Sequence, residues 1–159
     1  MGSQRSNALA RAIYGQILVT AIVAALSEDS AAATGYLLLS AVTTILVFWA
    51  AHVYAGAMAR GITLRRAMEQ GEFRAFMATE LPMIEAAIPT VIILALGTVG
   101  VFSRNTTVSL AIGVGVAMLF LAGLAFGRYT SSSWPAALLS AALTSGLGLV
   151  IVALKAIVH

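Results

Sequence analysis

The chain has 159 residues, of which 60% are hydrophobic and 9% charged, against about 45–50% and about 25% in soluble domains. So few charges cannot coat a water-facing surface of this size, which leaves lipid as the solvent for most of the exterior. The net charge of +3 comes from nine basic residues scattered between apolar runs. They form no continuous stripe for a phosphate backbone, so nucleic acid is not an expected partner. With no cysteine in the chain, disulfides, thiolate metal sites and a cysteine nucleophile are all excluded.

A membrane-spanning helix needs about 20 mostly apolar residues to cross roughly 30 Å of hydrocarbon. Five stretches satisfy that requirement, at about residues 8–26, 35–58, 81–102, 107–127 and 135–158. The first carries Arg11 and Gln16 near its start and ends at the acidic turn Ser27-Glu28-Asp29-Ser30. Its other reading is a cleaved signal peptide ending near Ala31-Ala32-Ala33. Between the second and third spans, residues 60–80 are too charged to cross and too few for a domain. Leu64, Met68, Gly71 and Ala75 share one stripe at helical spacing, widened by Phe73, Phe76 and Met77. Arg65, Arg66, Glu69, Glu72 and Arg74 supply a wet face, so this segment reads as an amphipathic interfacial helix broken at Gly71. Ser103-Arg104-Asn105-Thr106 makes the next turn, and Pro135 suits the first turn of the last helix. The expected fold is all-α: a polytopic bundle of five transmembrane helices plus one short cytoplasmic amphipathic helix, in a single membrane domain.

Arginine and lysine set the orientation. With the N-terminus inside, the cytoplasmic flanks hold Arg5, Arg11, Arg60, Arg65, Arg66, Arg74 and Arg128, and the opposite flanks only Arg104 and Lys155. Eight of the nine basic residues are arginine in an alanine- and glycine-rich chain, a bias that points to a GC-rich bacterial genome. The expected location is therefore a bacterial inner membrane. Helix contacts in lipid favour small residues. Gly123 and Gly127 form a small-xxx-small pair, and Gly113, Gly115, Gly146 and Gly148 offer further close approaches. These fit a compact bundle, a homodimer or a membrane-complex partner.

Ionisable groups inside a membrane are costly and so are functional candidates. His52 lies two turns before Arg60, and Glu85 lies one turn into the third span, both in the cytoplasmic half. Gln16 and the interfacial Glu80 complete a candidate polar cluster for an ion or proton path. The structural alternative is a hydrogen-bonded network that fixes helix register, with Arg11 and Glu80 snorkelling to the headgroups. Pro82 and Pro89 bracket Glu85, and Pro89 frees the Glu85 carbonyl, a defect that transporters use to coordinate cations and that ordinary kinked helices also carry. His52, Glu85, Glu69 and Glu72 are the candidate metal ligands. Trp49, Tyr36, Tyr54, Tyr129 and Trp134 suit interfacial anchoring. Ser145-Gly146 lacks the surroundings of a serine nucleophile, and no phosphate loop or HExxH is present, so neither an enzyme nor a cofactor is expected.

The layout of two helices, a cytoplasmic helical insert and three more helices resembles the vacuolar iron transporter family. The stretch Arg11-Ala12-Ile13-Tyr14-Gly15-Gln16-Ile17-Leu18-Val19-Thr20-Ala21 resembles that family's opening helix. Ala50-Ala51-His52-Val53-Tyr54 resembles the end of its second helix, where Ala-x-Gly-Glu-Tyr is usual. Gly127-Arg128 followed by Ala136-Ala137-Leu138-Leu139 resembles its closing stretch. The departures lie at the metal motifs. Gln16-Ile17-Leu18 stands where the family has Asn-Asp-Gly, Val53 stands where it has glutamate, and only Glu69, Glu72 and Glu80 remain of a glutamate-rich insert. The resemblance implies a small transporter-like or channel-like protein moving a cation, either a divalent metal or a proton. The competing expectation is a non-transporting structural or accessory subunit of a larger membrane complex.

Overall fold

The computed structural model describes residues 2–27, 33–130 and 133–158, without the side chains of 2–5, 151, 152 and 154–158. The acidic Glu28-Asp29 turn lies outside the described residues, as do the side chains of Arg5 and Lys155. Six helices and no strand are found among the described residues: α1 (Gly2–Leu26), α2 (Thr34–Leu64), α3 (Gln70–Glu80), α4 (Pro82–Thr98), α5 (Arg104–Thr130) and α6 (Trp134–Val158). Residues 6–26 of α1, together with α2 and α5, make three helices long and apolar enough to cross a membrane, and α3 with α4, bent by 43°, makes a fourth. The expected five spans are thus three or four by length and composition. The shortfall has two sources. α4 alone has 17 residues, and although α6 has 25, its continuously described side chains end at Val150.

Helix boundaries depart from the sequence reading where local chemistry intervenes. α2 does not stop near residue 58 but runs on to Leu64, taking Arg60 with it. It ends where Arg65 adopts a left-handed conformation (φ 53°, ψ 28°). There the Arg65 N–H bonds the Ile62 carbonyl and the Arg66 N–H bonds that of Gly61, the closing pattern usually built on glycine. The expected break at Gly71 falls instead at 65–69, and Gly71 sits inside the first turn of α3. That turn is nucleated by a capping box: the Glu69 side chain accepts from the N3 backbone, and the Glu69 N–H donates to Glu72 Oε2 at 2.9 Å. Arg66 grips the same carboxylate with both η nitrogens, at 2.9 and 2.8 Å. At the other end Pro82 has no N–H to continue the ladder, and the chain bends there into α4. α4 then runs through Pro89 uninterrupted. α5 starts at Arg104 rather than 107 because Ser103 caps it, its Oγ accepting from the Thr106 N–H at 3.3 Å.

α1 is central and touches all five other helices, whereas α6 packs mainly on α5 and α1. The core joins Val19 and Val23 of α1, Leu37, Ala41 and Ile45 of α2, Met83, Ala87 and Leu94 of α4 and Ala111 of α5. α5 buries Thr107, Ala111, Gly115, Leu119, Gly123 and Gly127, every fourth residue along its length. A Cβ at Gly123 or Gly127 would strike the backbone of Ser140, Ala141 or Ala137. The small-xxx-small pair is therefore consumed by α6 of the same chain.

Contacts between distant residues fix the helix directions. The start of α5 meets the end of α1, where an Arg104 η nitrogen donates to the Ser27 carbonyl at 3.1 Å. The start of α2 meets the end of α4 through Gly35 and Thr98. The start of α4 meets the first half of α1 at Gly15, where a Cβ would strike the Met83 carbonyl. These directions put Arg11, Arg60, Arg65, Arg66, Arg74 and Arg128 at one end of the bundle and Arg104 at the other.

Candidate functional site

At the arginine-rich end, α1, α2 and α3 enclose a groove of about 630 Å³. Its floor is one face of α2, on which Phe48, Ala51, His52, Ala55, Gly56 and Arg60 recur at helical spacing. Three of these six side chains are alanine or glycine, and their smallness makes the volume. α3 is pressed against that face at Gly56, where a Cβ would fall on the Phe76 ring. Phe76 is buried, and Arg60 lies over its ring with the guanidinium carbon 4.4 Å from the centroid. One turn further along α3, Glu80 is also buried, at 3% exposure.

Glu80 is answered by α1: Arg11 Nε lies 2.6 Å from Glu80 Oε2. The contact is an ion pair whose N–H is not aligned on the oxygen, since that oxygen makes no directed hydrogen bond. A carboxylate this deeply buried requires a cation, and without Arg11 it would be an uncompensated charge. The snorkelling expected of both residues is thus replaced by a bond between them. Tyr14, one turn beyond Arg11, closes the groove, its ring 5.3 Å from the His52 ring and 6.4 Å from that of Phe48.

Behind the groove, inside the α1–α4–α5 interface, Gln16 is 2% exposed. Its Nε2 donates to Thr20 Oγ1 at 3.2 Å and to Thr90 Oγ1 at 3.0 Å. Gly115 of α5 makes room, because a Cβ there would meet both Thr20 and Gln16. The Gln16 Oε1 is buried with no donor, which carries the desolvation cost of an unsatisfied carbonyl, about 1–3 kcal/mol. Farther along the interface Thr107 of α5 is buried against Gly97 of α4.

The four expected site residues therefore separate. His52 and Glu80 share the groove, Gln16 lies deeper in the core, and Glu85 belongs to neither. Glu85 is exposed on the outer face of α4, in a stripe with Leu81, Ile88, Ile92 and Leu96. Among the described residues no group of three or more histidine, aspartate and glutamate side chains is placed to hold a metal ion. Of the four candidate ligands, Glu72 is gripped by Arg66 and Glu69 is engaged in the capping box. Sequence reasoning missed Thr20, Thr90 and the Arg11–Glu80 bond. Thr20 was legible as the residue one turn from Gln16 on the same face, but nothing in the sequence pairs either with Thr90.

No family model, curated protein or solved structure matches the chain.

Proposed function

We propose that the chain is a five-span bacterial inner-membrane protein, N-terminus in the cytoplasm, which passes protons along the α1–α4–α5 interface. The observation that carries this reading is the ion pair between half-buried Arg11 and buried Glu80, which heads a line of buried polar groups. That line continues through Gln16, Thr20 and Thr90 to Thr107. Gln16, Thr20 and Thr90 are joined by hydrogen bonds, while about 7–10 Å of helix separates that cluster from the pair on one side and from Thr107 on the other, gaps that transient water bridges in this proposal. The unanswered Gln16 Oε1 offers such a water an acceptor. Glu80, with His52 beside it in the groove, exchanges protons with the cytoplasm. The clustering of six arginines at the groove end supports that end as cytoplasmic.

The lining favours protons over a divalent metal, since two guanidinium groups flank the groove and repel a dication. On this reading the likeness to vacuolar iron transporters is one of layout, without the metal chemistry. The protein is a conduit, without enzymatic activity. Purified protein in liposomes under an imposed potential should discharge a pH gradient read by an entrapped dye. Glu80→Gln should abolish that flux, whereas Glu85→Gln should leave it intact. Absence of flux in the native protein, or flux that survives Glu80→Gln, overturns the proposal.

Glu85 supports a second reading, that of an accessory subunit. A carboxylate in an otherwise apolar exposed stripe, with no ion pair among the described residues, suits a cation on a partner's membrane helix. Gentle-detergent purification from the native cell should then yield a stoichiometric partner that is lost with Glu85→Leu.

A further inference from the structure

The groove holds two guanidinium groups and one carboxylate. Arg11 and Glu80 answer each other. Arg60 makes no ion pair among the described residues and has only the Phe76 ring beneath it. The groove lining therefore holds one more cation than carboxylate, since Glu72, which acts on Arg60 at longer range, is already held by Arg66, and the side-chain donors of His52 and Tyr14 lie close by. A cation resting on an aromatic face keeps its N–H edges free for a second partner, and a guanidinium edge matches the paired oxygens of a phosphate. The cavity, at about 630 Å³, falls inside the roughly 300–1,000 Å³ range of small-molecule sites.

The order of residues along α2 decides what kind of anion fits. Arg60 lies one turn from the helix end at Leu64. Phe48 lies twelve residues earlier, about 18 Å deeper, with Ala51 and Ala55 between them. The groove thus grades from charged at its mouth to apolar at its depth. At the deep end its flanks are Tyr14 and Phe48, both 38% exposed. A free phosphate would use only the mouth, leaving the apolar floor uncovered. An amphiphile with an anionic head and a hydrocarbon tail covers both, as in other basic pockets between membrane helices.

We propose that this groove binds an anionic phospholipid, its phosphate between Arg60 and Arg11 and one acyl chain along the Phe48–Ala51–Ala55 face. The site rests on the membrane reading above but not on proton transport: Arg11 is common to both, whereas Arg60, which the test removes, takes no part in the proton path. Bound lipid covers the mouth of the Glu80 chamber and makes the protein responsive to the headgroup charge of its leaflet.

The test is native mass spectrometry of the full chain in detergent, titrated with dioleoyl phosphatidylglycerol or dioleoyl phosphatidylcholine. The anionic lipid should bind roughly five- to thirtyfold more tightly, the ratio expected for one or two arginine contacts. Arg60→Gln should erase that preference. Ala55→Phe, which fills the floor without touching charge, should weaken both lipids. Arg128→Gln is the matched control: Arg128 lies at the same end of the bundle, 4.6 Å over the Trp134 ring, but outside the groove, and this variant should bind like the native protein. Equal binding of the two lipids, an unaltered preference in Arg60→Gln, or an equal loss in Arg128→Gln overturns the proposal. Displacement of the lipid by equimolar inorganic phosphate also overturns it, in favour of a free anion. Lipid binding without proton flux would sink the transport reading alone, and flux without lipid preference would sink this one alone.

Discussion

The α5–α6 pair and the α1–α2–α3 corner are built from the same small residues to opposite ends. In the pair, Gly123 and Gly127 admit the backbone of α6, with Ala137 and Ala141 fully buried. At the corner, Ala51 and Ala55 stay exposed and leave a groove whose wall is an arginine on a phenylalanine. Small side chains therefore do not by themselves specify contact. What decides is whether the facing helix also presents small residues, as α6 does, or bulky and charged ones, as α3 does.

The sharpest way to break that comparison is to add the same bulk to both sides. Gly127→Leu, which drives a side chain into the Ala137 backbone, should cost about 3 kcal/mol or more, or prevent folding. Ala55→Leu should change stability by no more than about 0.5 kcal/mol. Thermal unfolding in detergent reads both, and similar losses would mean the groove is closed.

Next in size is the pair that seals the groove from the core. Arg11→Met alone leaves Glu80 buried without a cation and should cost about 3 kcal/mol. The double variant Arg11→Met with Glu80→Leu should recover most of that loss. An additive double variant would show that the two residues do not act as a bonded pair. Smaller still, Arg65→Gly relieves a left-handed residue at the end of α2 and should stabilise the chain by about 1 kcal/mol.

The smallest effect concerns the solvent-facing start of α3. The fork from Arg66, helped by the Glu69 N–H, holds the Glu72 carboxyl down to about 2. A lowered carboxylate contributes its stabilisation in full above the ordinary carboxylate range and loses it as pH falls through that value. Protection of the amides at 69–73, measured against the unstructured exchange rate at each pH, should accordingly fall between about pH 4 and pH 2. In Arg66→Gln the same loss of protection should begin at higher pH.

Much of this architecture was legible because hydrophobic run length and arginine placement are one-dimensional signals. The bounds of α4, α5 and α6 fell within a few residues of their expected places, whereas α1 starts well before residue 8, α2 runs past 58 to its Arg65 cap and α3 starts at Gln70 rather than 60. Rotation about a helix axis is not one-dimensional. His52 and Glu85 were expected at similar depth, yet His52 faces α3 across the groove and Glu85 faces outward with Ile88 and Ile92. Depth could be read from distance to the helix end, but the face a lone polar residue takes is set by neighbours many residues away. Arg11 and Glu80 are joined only because α3 folds back beneath α1, and no periodicity encodes that return. Gln16 was legible as a member of a polar cluster, but the same reasoning put Glu85 there too, and only the packing of α4 and α5 on α1 separates them.

The central claim is that the arginine-rich end of the bundle opens to water on the cytoplasmic side while the α5–α6 seam stays closed. The chain has no cysteine of its own, so single substitutions report without background. A membrane-impermeant maleimide should label A67C, in the exposed link before α3, in inverted inner-membrane vesicles but not in intact spheroplasts, and A141C should resist it in both. Labelling of A67C from the outer face, or of A141C as fast as A67C, would contradict the account.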